Sequence, residues 1–357
     1  MAEFTLYNGD CLQVMRGMDA NSVDAVIMDP PYYKVKNEEW DRQWETAQGF
    51  LDWFDTVLIE CYRLLRANGS LYVFASPQMS ARVEVLISGR FNVLNHIVWR
   101  KPFSRANQAG KEILRGFFPS SERVIFAEHH GSDSFAKGES GYAIECDRLR
   151  GFIFEPLRAY LDGERKRAGV SVRDVAEQFQ IKTGSRTVTG MAGHWFGNTQ
   201  WTLPTEENYQ WLRDTLSNLN HSGQYLRREY EYLRREYEDL RRPFAVTADV
   251  PYTDVWTFKT VNAYPGKHPT EKPVDLMSHI VKASTRPGAV ILDPFAGSGS
   301  TGVAALIAKR QFIGIEKDSG YFEIMKQRIS QSRGEFPTIT AKPNELDNLP
   351  LFAEATP

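Results

Sequence analysis

Apolar and polar positions change rhythm twice along this chain. The opening third alternates short apolar runs with segments of helical spacing. Residues 4–7, ending at Asn8-Gly9-Asp10, read as a strand, and residues 23–28 (VDAVIM) as a second. Its unbroken apolar run suits a strand covered on both faces. Residues 50–65 have the spacing of a helix that stops at the turn signal Asn68-Gly69, and 71–75, 93–99 and 123–127 are three more strands. The last third resumes this texture with strand 289–292, helix 301–308, strand 312–315 and a closing helix 321–329. Five strands lie near the N-terminus and two near the C-terminus, too few at either end alone. The alternation predicts one α/β, mostly parallel, seven-stranded sheet to which both ends contribute.

The middle is different. Residues 154–243 show no strand rhythm, much charge and helical periodicity. The heptapeptide Tyr225-Leu-Arg-Arg-Glu-Tyr-Glu recurs from Tyr232, followed by Asp239-Leu-Arg-Arg. Leu226, Tyr230, Leu233, Tyr237 and Leu240 then form an apolar seam along one predicted helix. The seam is short for an independent coiled coil, so it packs within the chain or pairs with a second copy, as in a homodimer. Upstream, Val172, Val175, Ala176 and Phe179 form a stripe, followed by a turn at Thr183-Gly184. Ser185 is a candidate cap for a second helix carrying Val188 and reaching Trp195. Small Ala176 ahead of a glycine turn fits a helix-turn-helix, which sets Ser185, Arg186 and Thr187 against base edges or phosphates. The alternative is an ordinary helical pair. Trp195, Trp201 and Trp211 read as core. The expected division is 1–153 and 244–334 as two parts of one domain, 154–243 as a helical insertion and 335–357 as a flexible tail.

Composition narrows the class. A chain of 357 residues with 42% hydrophobic content can bury a sizeable core. Its net charge of −2 is neutral on the question of nucleic acid, but the distribution is informative. Arg100, Lys101, Arg105, Lys111 and Arg115 face only Glu112 in the same stretch, which suits a local phosphate-binding surface. No apolar stretch approaches the roughly 18 residues of a membrane span, and the N-terminus lacks a signal pattern. A cytoplasmic protein with no membrane partner is expected. Cys11, Cys61 and Cys146 are scattered and lack metal-ligand spacing, so neither disulfide nor metal is expected.

Two strand ends carry the chemistry. Asp29-Pro30-Pro31-Tyr32 follows VDAVIM directly, where ligands of open α/β sheets bind. The prolines stiffen the turn. An adenine amino group is a poor nucleophile because its lone pair is delocalised into the ring. Acceptors for both amino hydrogens, Asp29 and the Pro30 carbonyl, would free that lone pair, while Tyr32 offers a face for an extruded base. Asp293-Pro294-Phe295-Ala296-Gly297-Ser298-Gly299-Ser300-Thr301-Gly302 follows the 289–292 strand and opens a helix. Its glycines permit close backbone approach to a ligand, and Glu316 ends the next strand, placed to accept from ribose hydroxyls. The glycines also spell GxGxxG. Only about forty residues follow Glu316, too few for the rest of a nicotinamide-dinucleotide fold.

With His268-Pro269-Thr270-Glu271-Lys272-Pro273, these segments closely resemble the signature motifs of bacterial DNA amino-methyltransferases, including those of phages and prophages. DPPY ahead of FAGSG resembles the circularly permuted beta group, over about residues 4–130 and 250–330. The resemblance implies a seven-stranded methyltransferase sheet, S-adenosyl-L-methionine as donor, a flipped base in double-stranded DNA as acceptor, and in-line transfer without a covalent enzyme intermediate. It assigns Asp29, Pro30, Pro31 and Tyr32 to catalysis. It assigns Asp293, Phe295, Ala296, Gly297, Ser298, Gly299 and Thr301 to the cofactor, Glu316 to its ribose, Thr270 and Lys272 to its carboxylate, and Asp10 to its adenine. Thr270, Glu271 and Pro273 also suit a helix start. Aspartate at the head of DPPY favours adenine N6. A serine there is commoner in cytosine-N4 members, the alternative, and an asparagine in glutamine-methylating relatives. A catalytically silent DNA-binding regulator and an RNA or protein methyltransferase are the remaining readings. A cognate restriction endonuclease is a partner candidate.

Overall fold

A strand apolar at every position needs cover on both faces, and β2 (Val23–Met28) has it. Ala25 and Ile27 enter one apolar cluster, Val26 and Met28 another. The structure is a computed structural model that describes residues 3–35, 38–101, 117, 120–129, 153–188, 190–220, 223–245, 253–262, 264, 267–332 and 339–341. All seven expected strands are present. They are β1 (Phe4–Asn8), β2, β3 (Leu65–Ala75), β4 (Asn92–Arg100), β5 (Ser121–Glu128), β7 (Val290–Asp293) and β8 (Gln311–Glu316). Two three-residue edge strands, β6 (Val255–Thr257) and β9 (Ile339–Ala341), complete the order β6-β4-β5-β3-β2-β7-β8-β1-β9. Only β5 runs antiparallel to its neighbours. Parallel pairing of β2 with β7 and of β1 with β8 joins the two ends of the chain into one sheet.

The chain divides into two compact units, Met1–His129 with Pro243–Pro357, and His130–Arg242. In the first, α1 (Cys11–Arg16), α3 (Ala47–Leu64) and α4 (Ser80–Ser88) cover one sheet face, and the short α2 (Glu39–Arg42) precedes α3 in the chain. Phe50, Phe54 and Leu58 of α3 are fully buried there, each worth about 1.5–3 kcal/mol of transfer free energy. The second unit holds α5 (Glu155–Arg167), α6 (Val172–Thr183), α7 (Met191–Phe196), α8 (Glu206–Leu219) and α9 (Tyr230–Leu240). The first unit resumes with α10 (Val274–Ser284), α11 (Ser300–Ile307) and α12 (Ser319–Gln331), which supply Ile280, Ala305 and Met325 to the opposite face. Asn68-Gly69 is no turn between elements. β3 begins at Leu65, and the pair lies in a bulge where the register to β2 jumps from Leu65 to Ser70. Cys11 and Cys61 are free and buried. Among the described residues, no helix is long and apolar enough to cross a membrane.

In the helical unit two expectations need correction. Helix α6 has a Ser171–Asp174 capping box and ends at left-handed Gly184, but no helix starts at Ser185. The Ser185 hydroxyl donates to the Thr187 carbonyl, and α7 begins only at Met191 and runs six residues. β-Branched Thr187 and Val188 ahead of Gly190 disfavour helix in between. Ser185, Arg186 and Thr187 therefore lie on a loop, and the helix-turn-helix lacks its recognition helix. The seam helix also starts late. Leu226 is buried with φ 50°, its N–H donates to Glu164 and its carbonyl accepts from Tyr209 and Arg213, so helix begins at Tyr230. The rest of the seam packs inside the unit. Leu233 is fully buried, the Tyr230 hydroxyl donates to the Pro204 carbonyl, and Tyr237 stacks on Phe154 at 4.8 Å. Trp195 and Trp201 are core, as expected, and Trp211 packs edge-on against Phe179.

Candidate active site

Because β1, β2, β7 and β8 are parallel neighbours, their carboxyl ends converge on one edge of the sheet. Four acidic residues follow from that register: Asp10 beyond β1, Asp29 beyond β2, Asp293 at the end of β7 and Glu316 at the end of β8. A cleft of about 650 Å³ opens there, lined among others by Asp10, Asp29, Thr270, Phe295, Gly297 and Glu316. That volume suits a small-molecule ligand, typically about 300–1,000 Å³.

The glycine corner is built to hold backbone. Asp293 accepts from the Phe295 N–H at 3.0 Å through one oxygen and from the Thr301 hydroxyl at 2.5 Å through the other. Burial pushes its carboxyl up to about 7, against those bonds. Gly297, at φ 52°, brings its backbone to the cleft and donates its N–H to Glu316 at 2.8 Å. The other Glu316 oxygen accepts from the Asp318 N–H. A carboxylate offers about four lone-pair sites, so Glu316 retains capacity for hydroxyl donors from a ligand. At Gly302 a Cβ would fall 2.6 Å from both Phe312 and Ile329, so only glycine lets α11 approach the sheet. Ser298 donates to Glu271, which also accepts from the Tyr264 hydroxyl, tying the HPTEKP loop to this turn.

The DPPY corner is built around charge. Lys272 is buried and donates from Nζ to Asp29 Oδ2 at 2.6 Å and to the Tyr32 hydroxyl at 3.2 Å. Its Nζ also lies 3.3 Å from Glu122 Oε2, the oxygen that accepts from the Tyr32 hydroxyl at 3.1 Å. Lys101 closes the group with an ion pair to Glu122. Burial alone would raise the Glu122 carboxyl, but the Lys272 and Lys101 ammoniums pull it down to about 2. Burial outweighs Lys272 at Asp29, whose carboxyl is raised, with Glu122 adding in the same direction. Lys272 stays charged because Asp29 and Glu122 more than offset its desolvation. The remaining Asp29 oxygen, Oδ1, is buried without a hydrogen-bond partner among the described residues. Behind the loop, Asp41 accepts from the Tyr32 N–H at 2.7 Å and the Val35 N–H at 2.6 Å, holding Tyr33 and Lys34 at φ 61° and 60°.

Of the residues expected at the cofactor, Asp10, Thr270, Phe295, Gly297 and Glu316 reach the cleft, as do Asp29 and Pro31. Asp10 also caps α1, accepting from the Leu12 and Gln13 N–H groups. Asp293, Ser298 and Thr301 hold the turn from behind, Ala296 donates its N–H to the Ile315 carbonyl, and Gly299 opens α11. Lys272 does not line the cleft; its Nζ is engaged by the Asp29 and Glu122 carboxylates. Lys101 pairs with Glu122. Arg100 and Arg186 are exposed, and Arg105, Lys111 and Arg115 lie outside the described residues. Helix α10 begins just past Pro273, so the HPTEKP segment is both a helix start and part of the site. Glu122 and Asp41 carry no sequence signal, being single acidic residues outside any motif.

A doubly wound sheet with DPPY and a glycine turn on adjacent strand ends defines a DNA amino-methyltransferase. Comparison with known proteins agrees. A family model described as DNA methylase, of the N6/N4 methyltransferase group, matches residues 23–327, and the chain belongs to this family. S-adenosylmethionine is its methyl donor. The chain is 24% identical to the Type II methyltransferase M2.MboI of Moraxella bovis over 92% of its own length and 88% of that protein's. It is 25% identical to the DNA adenine methyltransferase YhdJ of Escherichia coli K12, over 91% and 82% respectively. The fold is also similar to that of the PvuII DNA methyltransferase, described as cytosine-N4-specific, with a TM-score of 0.51 and 13% identity over 98% and 94% of the two chains. The cleft residues fit the donor: Glu316 has lone pairs for the ribose, the Gly297 backbone is open to close approach, and Phe295 supplies an apolar wall.

Proposed function

We propose that this chain methylates the N6 amino group of a flipped-out adenine in double-stranded DNA, at a specific sequence. The observation that carries this reading is Asp29 Oδ1, buried beside the cleft with no hydrogen-bond partner among the described residues while Lys272 occupies Oδ2. A buried carboxylate oxygen without a partner costs free energy in the unliganded protein, a cost relieved when a ligand brings the missing donor. An amino hydrogen of the target base satisfies it, and the Pro30 carbonyl takes the second hydrogen. The nitrogen lone pair then turns toward the cleft. Bound S-adenosylmethionine supplies an electrophilic methyl group there. The Tyr32 hydroxyl is fixed by Glu122 and Lys272, so its ring keeps one orientation toward the base.

In this reading Glu316 takes the ribose hydroxyls, Asp10 the adenine end, and Thr270 the methionine carboxylate without Lys272. Arg100 and Lys101 at the end of β4, and Ser185, Arg186 and Thr187 on the α6–α7 loop, are the candidates for DNA contact among the described residues. Adenine is favoured over cytosine by the DPPY aspartate and by the name of the YhdJ relative. The test is mass spectrometry of nucleosides from methylation-free DNA treated with the protein and S-adenosylmethionine. N6-methyladenine is expected. N4-methylcytosine would replace the acceptor, and unmodified DNA would remove the assignment.

A further inference from the structure

The Asp29 corner contains one more acid than base recognition requires. Glu122, on β5, is half-buried and does not line the cleft, yet it contacts both the Lys272 ammonium that pairs with Asp29 and the Tyr32 hydroxyl. Its Oε2 lies 3.3 Å from Lys272 Nζ and 3.1 Å from the Tyr32 hydroxyl. We infer that Glu122, braced by Lys101, is a positioning residue for methyl transfer: it shares the Lys272 ammonium with Asp29 and so sets how firmly Asp29 is held as an anion. The inference rests on the assignment of Asp29 as the acceptor of the target amino group.

Asp29 and Glu122 compete for one cation. Lys272 is the ammonium in contact with Asp29, and it sits between two carboxylates, closer to Asp29 at 2.6 Å than to Glu122. Removing one anion from such a trio commits the cation to the other. Lys101 decides the balance from the far side, because its ion pair with Glu122 leaves Lys272 to Asp29. The charged and titratable groups facing Asp29 are Lys272 ahead of α10, Glu122 on β5, Tyr32 on its own loop and Asp293 on β7, with Lys101 at the end of β4 acting through Glu122. At these distances the Lys272 ammonium favours the Asp29 anion and the Glu122 carboxylate disfavours it. Loss of Glu122's charge therefore extends the range in which Asp29 is ionised to lower pH. Loss of Lys101's charge frees Glu122 to compete, and the range contracts.

Single-turnover methylation with saturating DNA and S-adenosylmethionine, from about pH 5 to about pH 8, reads this directly. Glu122→Gln keeps a hydrogen-bond acceptor for Tyr32 and removes the charge. Its rate relative to the unsubstituted protein should rise on acidification. Lys101→Met should do the reverse, its relative rate falling by about tenfold as pH drops by about one unit through the acid limb. The double variant should return toward the parent profile. Flat ratios for Lys101→Met across the range, or shifts of both single variants in the same direction, overturn the inference and leave Glu122 a structural anchor for Tyr32. Asp29→Ala, run alongside, separates the two failures: if it retains methylation, the assignment of Asp29 falls, and otherwise only the role of Glu122 does.

Discussion

Two neighbouring strands of this sheet end in the same dipeptide, Asp29-Pro30 after β2 and Asp293-Pro294 at the end of β7, and the two aspartates do opposite things. Asp293 has both oxygens engaged, by the Phe295 N–H and the Thr301 hydroxyl, and serves to shape a turn. Asp29 has one oxygen on Lys272 and one with no hydrogen-bond partner among the described residues. Identical dipeptides in adjacent positions thus give one carboxylate with both oxygens engaged and one with an oxygen left open among the described residues. The difference comes from what surrounds them. A short hydroxyl and a backbone N–H satisfy one. A single shared ammonium, contested by Glu122, leaves the other incomplete.

The contrast can be sharpened from the cofactor side first. Glu316→Ala strikes the glycine corner and should weaken S-adenosylmethionine binding by about ten- to a hundredfold, as loss of charge-assisted hydrogen bonds does. Rates at saturating cofactor should change far less. Calorimetric titration checks this, and an unchanged Kd would move the ribose site elsewhere. Asp41→Ala strikes the DPPY corner from behind by releasing the left-handed pair Tyr33 and Lys34. The single-turnover rate should fall about tenfold through misplacement of Asp29, with cofactor Kd nearly unchanged. Equal loss in both measurements would mean that the two corners are one unit.

The smallest effect concerns protonation of Asp293. The Asp293 carboxyl is raised to about 7 in the folded state, so the folded chain binds its proton more tightly than the unfolded chain. Its contribution to stability is present below the unfolded range near 4 and is lost as pH rises through about 7. Asp293→Asn keeps an acceptor but not the charge. The difference in Tm between variant and parent should therefore grow in the variant's favour from about pH 4 to about pH 7, by a few degrees. A difference independent of pH would show that burial does not disfavour the Asp293 anion.

Much of this was legible because local rules and global packing agree. The seven strands are apolar runs because helices cover both sheet faces, as Ala25 and Val26 on opposite clusters illustrate. DPPY and the glycine turn are contiguous, so their order along the chain predicts their placement. What the chain conceals is long-range or contested locally. Glu122 meets Tyr32 across 90 residues, and no periodicity marks it. The loop from Ser185 to Val188 has a cap residue and a preceding turn, but β-branched Thr187 and Val188 prevail over the cap. Leu226 fits the heptad register, yet Glu164, Tyr209 and Arg213 claim its backbone and delay the helix.

In the proposed reaction Asp29 keeps an oxygen for the target base while Asp293 does not. Asp29→Ala and Asp293→Ala, each assayed for single-turnover methylation, S-adenosylmethionine Kd and Tm, test it in one crossed measurement. The account predicts that Asp29→Ala loses methyl transfer by at least about a thousandfold with cofactor Kd within about threefold of the parent. Asp293→Ala should lose about 1–3 kcal/mol of stability and bind cofactor more weakly, yet still transfer methyl groups when cofactor is saturating. Methyl transfer surviving in Asp29→Ala, or abolished only in Asp293→Ala, would contradict the account.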